Sequence, residues 1–226
     1  MAIRTLLNLK EIKFCLDEME KMFPDATIEL NFTNNFELVI AVLLSAQSTD
    51  EQVNRVTKHL FKKYKTPEDY LAVPLKELQK DIQSLGLYRN KAKNIQKLSQ
   101  TLIEEFNGVV PNTREELMKL GGVGRKTANV VLSVAFDVPA LAVDTHVERV
   151  AKRLGIARWK DSVLEVERTL MKKIPKEQWN ATHHRLIFFG RYHCKARNPN
   201  CLECPLLDLC REGQKRMRQL EREKHK

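Results

Sequence analysis

The stretch Leu120-Gly-Gly-Val-Gly-Arg-Lys-Thr-Ala128 sets three glycines in four positions directly ahead of the apolar run Ala128-Asn-Val-Val-Leu132. Glycine lets a backbone turn tightly with its amides uncovered, and the free N–H groups at the start of a helix suit phosphate oxygens. A packed turn between two helices explains the glycines equally well. The pattern predicts a helix over 125–136 with Val123, Thr127, Val130, Val131 and Val134 on one face. Lys126 then lies at the border of the apolar face and in the first helical turn, two settings that disfavour an ammonium. One reading is a partly neutral, nucleophilic amine, and the other is a surface lysine that touches phosphate as a point charge.

Outward from this segment, helical signals dominate and no alternating strand or hairpin turn stands out, so the chain is expected to be all-α. Helices are predicted near 4–22, 35–46, 49–64, 75–84, 88–106, 114–120, 125–136, 145–154, 161–173 and 176–192. Ser48 with Glu51, and Thr113 with Glu116, have the spacing of capping boxes that start helices. Phe36 to Leu44 is apolar on nearly every face, as expected of a helix at the centre of a core. Leu-x-Gly-Val-Gly-x-x-Thr-Ala itself resembles a helix-hairpin-helix motif, a module that grips one nucleic-acid strand by its backbone without reading bases.

Lys and Arg outnumber Asp and Glu by 39 to 29, a net charge of +10, which raises the expectation of a polyanionic partner. The last sixteen residues, Arg211 to Lys226, carry seven basic and three acidic side chains, so a helical tail accounts for part of the excess. No apolar run approaches the roughly twenty residues of a membrane span, and charges interrupt the N-terminal hydrophobes too often for a signal peptide. A cytoplasmic protein that makes no use of a membrane is expected.

Asp144 opens Asp-Thr-His-Val-Glu-Arg-Val-Ala-Lys-Arg-Leu-Gly155 and suits a helix N-cap, where amide donors keep a carboxylate ionised. Capping alone explains the residue. A rigid carboxylate is also what stabilises an oxocarbenium-like transition state in glycosidic cleavage.

Cys194-x6-Cys201-x2-Cys204-x5-Cys210 offers four thiols from one short loop. In a reduced compartment that spacing indicates metal ligation, and it fits zinc or an iron-sulfur cubane alike. Cys15, remote in sequence, reads as a small buried hydrophobe.

Taken in order, Leu-Leu-Ser-Ala-Gln-Ser-Thr-Asp (43–50), Gly-Leu-Tyr (86–88), Gly-Val-Gly-Arg-Lys-Thr-Ala-Asn-Val-Val (122–131), Ala-Val-Asp-Thr-His (142–146) and the cysteine loop resemble the endonuclease III family of helix-hairpin-helix DNA glycosylases. The resemblance runs from about 28 to 210. It implies two helical domains with a DNA-binding cleft between them: 28–138, holding the hairpin, and 1–27 plus 139–226, holding the cluster loop at 194–210. It also implies a base-excision-repair glycosylase that removes damaged pyrimidines from duplex DNA and nicks the strand as an AP lyase. Lys126 would be the nucleophile, Asp144 its essential partner, and Cys194, Cys201, Cys204 and Cys210 the ligands of a [4Fe-4S] cluster. Gln47 and Leu87 would enter the duplex, while Gly122, Val123, Gly124 and Arg125 would hold phosphate. His146 matches the family pattern with no role assigned. Double-stranded DNA with damaged bases or abasic sites is the expected partner, bound by a monomer, in the nucleoid if the source is prokaryotic.

Two alternatives remain, a monofunctional glycosylase of the same superfamily and a noncatalytic helix-hairpin-helix module. Arg89, Lys91, Lys93 and Lys97 are read either as phosphate contacts or as a solvated helix face. The basic groups flanking the cysteines, including His183, His184, Arg185, Arg191, Lys195 and Arg197, are read either as charge presented to phosphates or as groups that cap and solvate helix ends. One departure stands out: Gly121 occupies a position where the family commonly has proline, which gives the hairpin a less rigid approach.

Overall fold

The computed structural model describes residues 6–224, and among them there is no β-strand. Its helices are α1 (Leu9–Met22), α2 (Asn35–Leu44), α3 (Asp50–Lys63), α4 (Pro67–Ala72), α5 (Leu75–Asp81) and α6 (Tyr88–Phe106). They continue as α7 (Arg114–Leu117), α8 (Arg125–Phe136), α9 (Thr145–Leu154), α10 (Val163–Lys173), α11 (Trp179–Phe188) and α12 (Arg211–Lys224). A 3-10 turn, Lys176–Gln178, precedes α11, and a π-helical turn, Phe189–His193, follows it. The all-α expectation is met. The short helix α4 escaped the sequence reading because six residues carry no full amphipathic period. Residues 4–5 of the first expected helix and 225–226 of the tail lie outside the described residues.

The chain packs as two compact units, Ile28–Ala140 and the combination of residues up to Thr27 with those from Leu141 onward. In the contiguous unit, α2 is buried along almost its whole length from Phe36 to Leu44. Each Leu or Ile so enclosed stabilises the unit by about 1.5–3 kcal/mol. Glu37, buried within this helix, is satisfied by the Thr33 N–H at 2.6 Å and the Thr33 hydroxyl at 2.8 Å. Gln96 of α6 donates through Nε2 to the carbonyls of Tyr70 at 3.1 Å and Val73 at 2.9 Å, closing the C-terminal end of α4.

The capping box proposed for Ser48 and Glu51 is displaced by one residue. Thr49 is the N-cap of α3 and pairs reciprocally with Gln52. The hydroxyl of Ser48 is thereby released for another partner. Thr113 does cap α7 as expected, accepting from the Glu116 N–H at 3.3 Å.

In the discontinuous unit, Ile12, Cys15, Leu16 and Met19 of α1 join Val147, Val150 and Leu154 of α9, with Val166, Leu170 and Phe189, in one core. The Leu7 N–H donates to the Gly155 carbonyl at 2.9 Å, which explains why the N-terminal segment belongs with residues so distant in sequence. Cys15 is fully buried, as expected of a small hydrophobe, but it is not remote from the other cysteines. It shares this core with Cys210, and burial together with the Cys210 and Cys204 thiols pushes its pKa up to about 12.

Candidate active site and cluster loop

The hairpin runs from α7 to α8. Gly122 has φ +76°, a left-handed conformation that favours glycine, and the Val123 N–H donates back to the Leu120 carbonyl at 3.1 Å. Gly121 is buried, and a Cβ there would stand 2.7 Å from both the Asn94 carbonyl oxygen and Lys97 Cβ, and 2.8 Å from the Leu98 nitrogen. Close packing against α6 therefore braces the approach to the hairpin, which removes the flexibility suggested by glycine in place of proline. Arg114 Nε donates to Asn129 Oδ1 at 2.8 Å and ties α7 to α8.

Gly124 is the N-cap of α8 and supplies no side-chain acceptor to the first-turn amides. A Cβ at Gly124 would meet nothing within 4 Å, so this end of α8 is open to an anion. The Val123 side chain is buried, so at that position only backbone can meet a ligand. Lys126 stands exposed in the first turn, in contrast to the half-apolar setting expected. Instead of one apolar face, the whole run Ala128 to Ser133 of α8 is buried, so the helix is enclosed on most sides, while Thr127 and Val134 are half-buried.

Gln47 and Leu87 are both exposed and both left-handed, with φ of 55° and 59°. Arg89, Lys93 and Lys97 are exposed as well, whereas Lys91 is not: its side chain turns inward and donates to Ser48 Oγ at 2.9 Å. Lys91 thus leaves the group of candidate phosphate contacts.

Asp144 caps α9 as expected, with Oδ1 accepting from the His146 N–H at 2.9 Å and the Val147 N–H at 2.8 Å. His146 sits half-buried one turn on, and Arg149 Nη2 lies 3.1 Å from its Nδ1. A guanidinium only donates, so this contact calls on Nδ1 as an acceptor, and burial pushes the pKa of the ring down. Gly190 of the π-helical turn lies against this residue, where a Cβ would come within 2.9 Å of His146 Cβ.

The four cysteines line one pocket together with Leu154, Phe189, Pro199 and Leu207. Burial raises Cys201, Cys204 and Cys210, the last to about 11, so several thiolates can coexist here only beside compensating cationic charge. The Gly213 N–H donates to Cys210 Sγ at 3.3 Å and Arg153 Nη1 to Cys194 Sγ at 3.5 Å, the kind of bonds that stabilise ligating sulfur. Among the described residues no three His, Cys, Asp or Glu side chains stand close enough to hold a single metal ion. Four thiols lining one pocket are a donor set that would suit an iron-sulfur cluster.

Two residues that sequence reasoning missed organise this loop. Arg153 is buried and donates to the carbonyls of Lys195 at 2.7 Å and Ala196 at 3.0 Å. Arg149 donates to Gly190 O at 2.7 Å and Cys194 O at 3.3 Å. Their spacing of four on the helix that Asp144 caps was the available signal. Of the basic groups noted beside the cysteines, His183 is buried with Nδ1 donating to the Ala142 carbonyl at 2.8 Å, and Arg185 is paired with Glu20 at 2.6 Å. Neither presents a free charge.

Comparisons with known proteins agree with this arrangement. Residues 40–176 match the HhH-GPD superfamily of base excision DNA repair proteins, and residues 194–210 match the iron-sulfur binding domain of endonuclease III. Endonuclease III from Bacillus subtilis (strain 168) is 74% identical over 211 residues, covering 93% of this chain and 96% of the relative. That from Rickettsia prowazekii (strain Madrid E) is 49% identical over 187 residues, covering 83% and 88%. A solved structure of a trapped endonuclease III-DNA covalent intermediate, the estranged-adenine complex, superposes with a TM-score of 0.93 at 71% identity, covering 94% of this chain and 100% of that one. No helix among the described residues is long and apolar enough to cross a membrane. With its hairpin, its capped aspartate and a four-cysteine loop suited to a [4Fe-4S] cluster, the chain belongs to the endonuclease III family of HhH-GPD base excision repair proteins.

Proposed function

We propose that this base-excision-repair DNA glycosylase and AP lyase acts on damaged pyrimidines in double-stranded DNA, with Lys126 as nucleophile and Asp144 as its essential partner. The observation that carries the reading is Lys126 itself: an exposed amine in the first turn of α8, immediately after a helix start that leaves its amides to an anion. Capture of a 71% identical relative as a covalent intermediate with DNA supports an amine nucleophile.

Phosphate oxygens would be held at Gly122 to Arg125 while the damaged nucleotide leaves the stack, since its C1′ is unreachable inside the duplex. The Lys126 amine attacks C1′, and the glycosidic bond breaks with its electron pair leaving on the base. The Asp144 carboxylate, held by two amide donors, offsets the positive charge that develops on the sugar. Opening of the ring gives a Schiff base at C1′. Loss of a C2′ proton then expels the 3′ phosphate by β-elimination, and water releases the lysine. Gln47 and Leu87 would occupy the opened duplex. The iron-sulfur cluster, when bound, organises residues 194–210 and takes no part in bond cleavage. The working unit is proposed to be a monomer of two domains, 28–138 and 1–27 with 139–226, acting in the cytoplasm, on the nucleoid of a prokaryote.

Borohydride present during reaction with a thymine-glycol duplex should reduce the Schiff base to a stable protein-DNA adduct. Base release without any adduct would replace the lysine mechanism with activation of water, and binding without turnover would reduce the protein to a noncatalytic module.

A further inference from the structure

Lys91 is 3% exposed, yet among the described residues its ammonium has one acceptor, Ser48 Oγ at 2.9 Å, and no carboxylate within ion-pair distance. A buried ammonium with a single neutral partner is expensive to keep, and a methionine of similar length would fill the space at lower cost. Stability therefore does not explain the residue. Its connections do.

The backbone N–H of Lys91 donates to the Leu87 carbonyl at 3.0 Å, while its side chain reaches the residue next to Gln47. One residue thus bonds both turns whose tips are left-handed and exposed. The same two turns touch directly at Gly86, where a Cβ would stand 3.0 Å from the Gln47 carbonyl oxygen and 3.9 Å from Ser48 Oγ. Ser48 is available because Thr49, not Ser48, caps α3. Burial lowers the pKa of Lys91, and the bond to Ser48 survives deprotonation because a neutral amine still donates.

We infer that Lys91 is a positioning residue that, through Ser48, clamps the Gln47 turn to the Leu87 turn so that both side chains enter the DNA stack as one rigid unit. This rests on the reading of Gln47 and Leu87 as the residues that enter the duplex. Holding two tips in register matters for opening a paired stack and not for reaction at a sugar that is already unstacked.

The test compares strand cleavage at an abasic site in a duplex with cleavage of the same abasic oligonucleotide as a single strand. Lys91→Met should lower the duplex rate about 10-fold, the effect of losing one charged hydrogen bond, and leave the single-strand rate within about 2-fold. The melting temperature should be unchanged or raised. Ser48→Ala, at a half-buried site, should act in the same direction by about 3-fold and add nothing in the Lys91→Met background, because both remove one bond. Equal losses on both substrates, or additive effects of the two substitutions, would overturn the clamp. Leu87→Ala and Gln47→Ala serve as controls. If these leave duplex cleavage intact, the reading of the two tips fails; if they impair it while Lys91→Met and Ser48→Ala do not, only the clamp fails.

Discussion

The hairpin around Gly121–Arg125 and the cluster loop at 194–210 are both short, irregular segments attached to a helix, but opposite forces hold them. The hairpin is shaped by what glycine lacks: Gly121 allows the backbone of α6 to lie against it, and Gly122 adopts φ +76°. The cluster loop is shaped by what its neighbours supply, namely Arg149 and Arg153 donating to its carbonyls and four thiols in want of a cation. A turn made by steric fit needs nothing beyond the chain, whereas a loop of four thiols is expected to gain stability from the cation they would hold. Chemistry can then be placed at the hairpin with little effect on stability, and stability resides in the loop with little direct effect on chemistry.

Lys126→Ala should give the largest effect. Strand cleavage and borohydride trapping should fall by at least ~10³-fold, while the midpoint of thermal unfolding stays put because the side chain is exposed. A large drop in melting temperature would mean that the hairpin lysine is structural and would break the comparison. Next, Cys204→Ser should abolish the visible absorbance of the cluster and destabilise the protein by several kcal/mol, about the scale on which structural metal sites couple to folding. A colourless variant that melted like the parent would show that the loop stands without metal.

Gly121→Pro, which introduces the residue the family commonly carries, should cost about 3 kcal/mol in urea unfolding, because its ring atoms would meet α6 backbone within van der Waals distance. A neutral result would mean that α6 yields and that steric fit is not what holds the hairpin. Smallest of the four, Arg153→Met removes donors to three carbonyls and one sulfur from a buried site and should cost about 2 kcal/mol. It should also speed loss of the cluster's colour in air, whereas the equivalent change at exposed Arg197 should not.

How far each region could be read in advance follows from the same contrast. The glycine turn, the helix start at Arg125 and the cap at Asp144 are local matters of backbone freedom and short-range hydrogen bonds, and each lies where the sequence places it. So do the four cysteines, whose spacing suits ligation without naming the metal. Two positions differ because equivalent local choices compete there. Ser48 and Thr49 both precede an acidic or amide residue at capping distance, and only the packing of α3 selects Thr49. Lys91 lies among Arg89, Lys93 and Lys97 with nothing in its chemistry to set it apart, and the position of Ser48, 43 residues away, turns it inward.

Residue type and short spacing by themselves determined the helical class, the hairpin, the candidate nucleophile, the capped carboxylate and the thiol set, since propensity, capping and glycine conformation act over a few residues. Only the tertiary structure decided that Gly121 is braced by α6, that Cys15 shares a core with Cys210, that Arg149 and Arg153 organise the cluster loop and that Lys91 joins two turns. Each of these depends on which distant group a side chain meets. That is settled by burial and close packing of the whole unit, which no local pattern encodes.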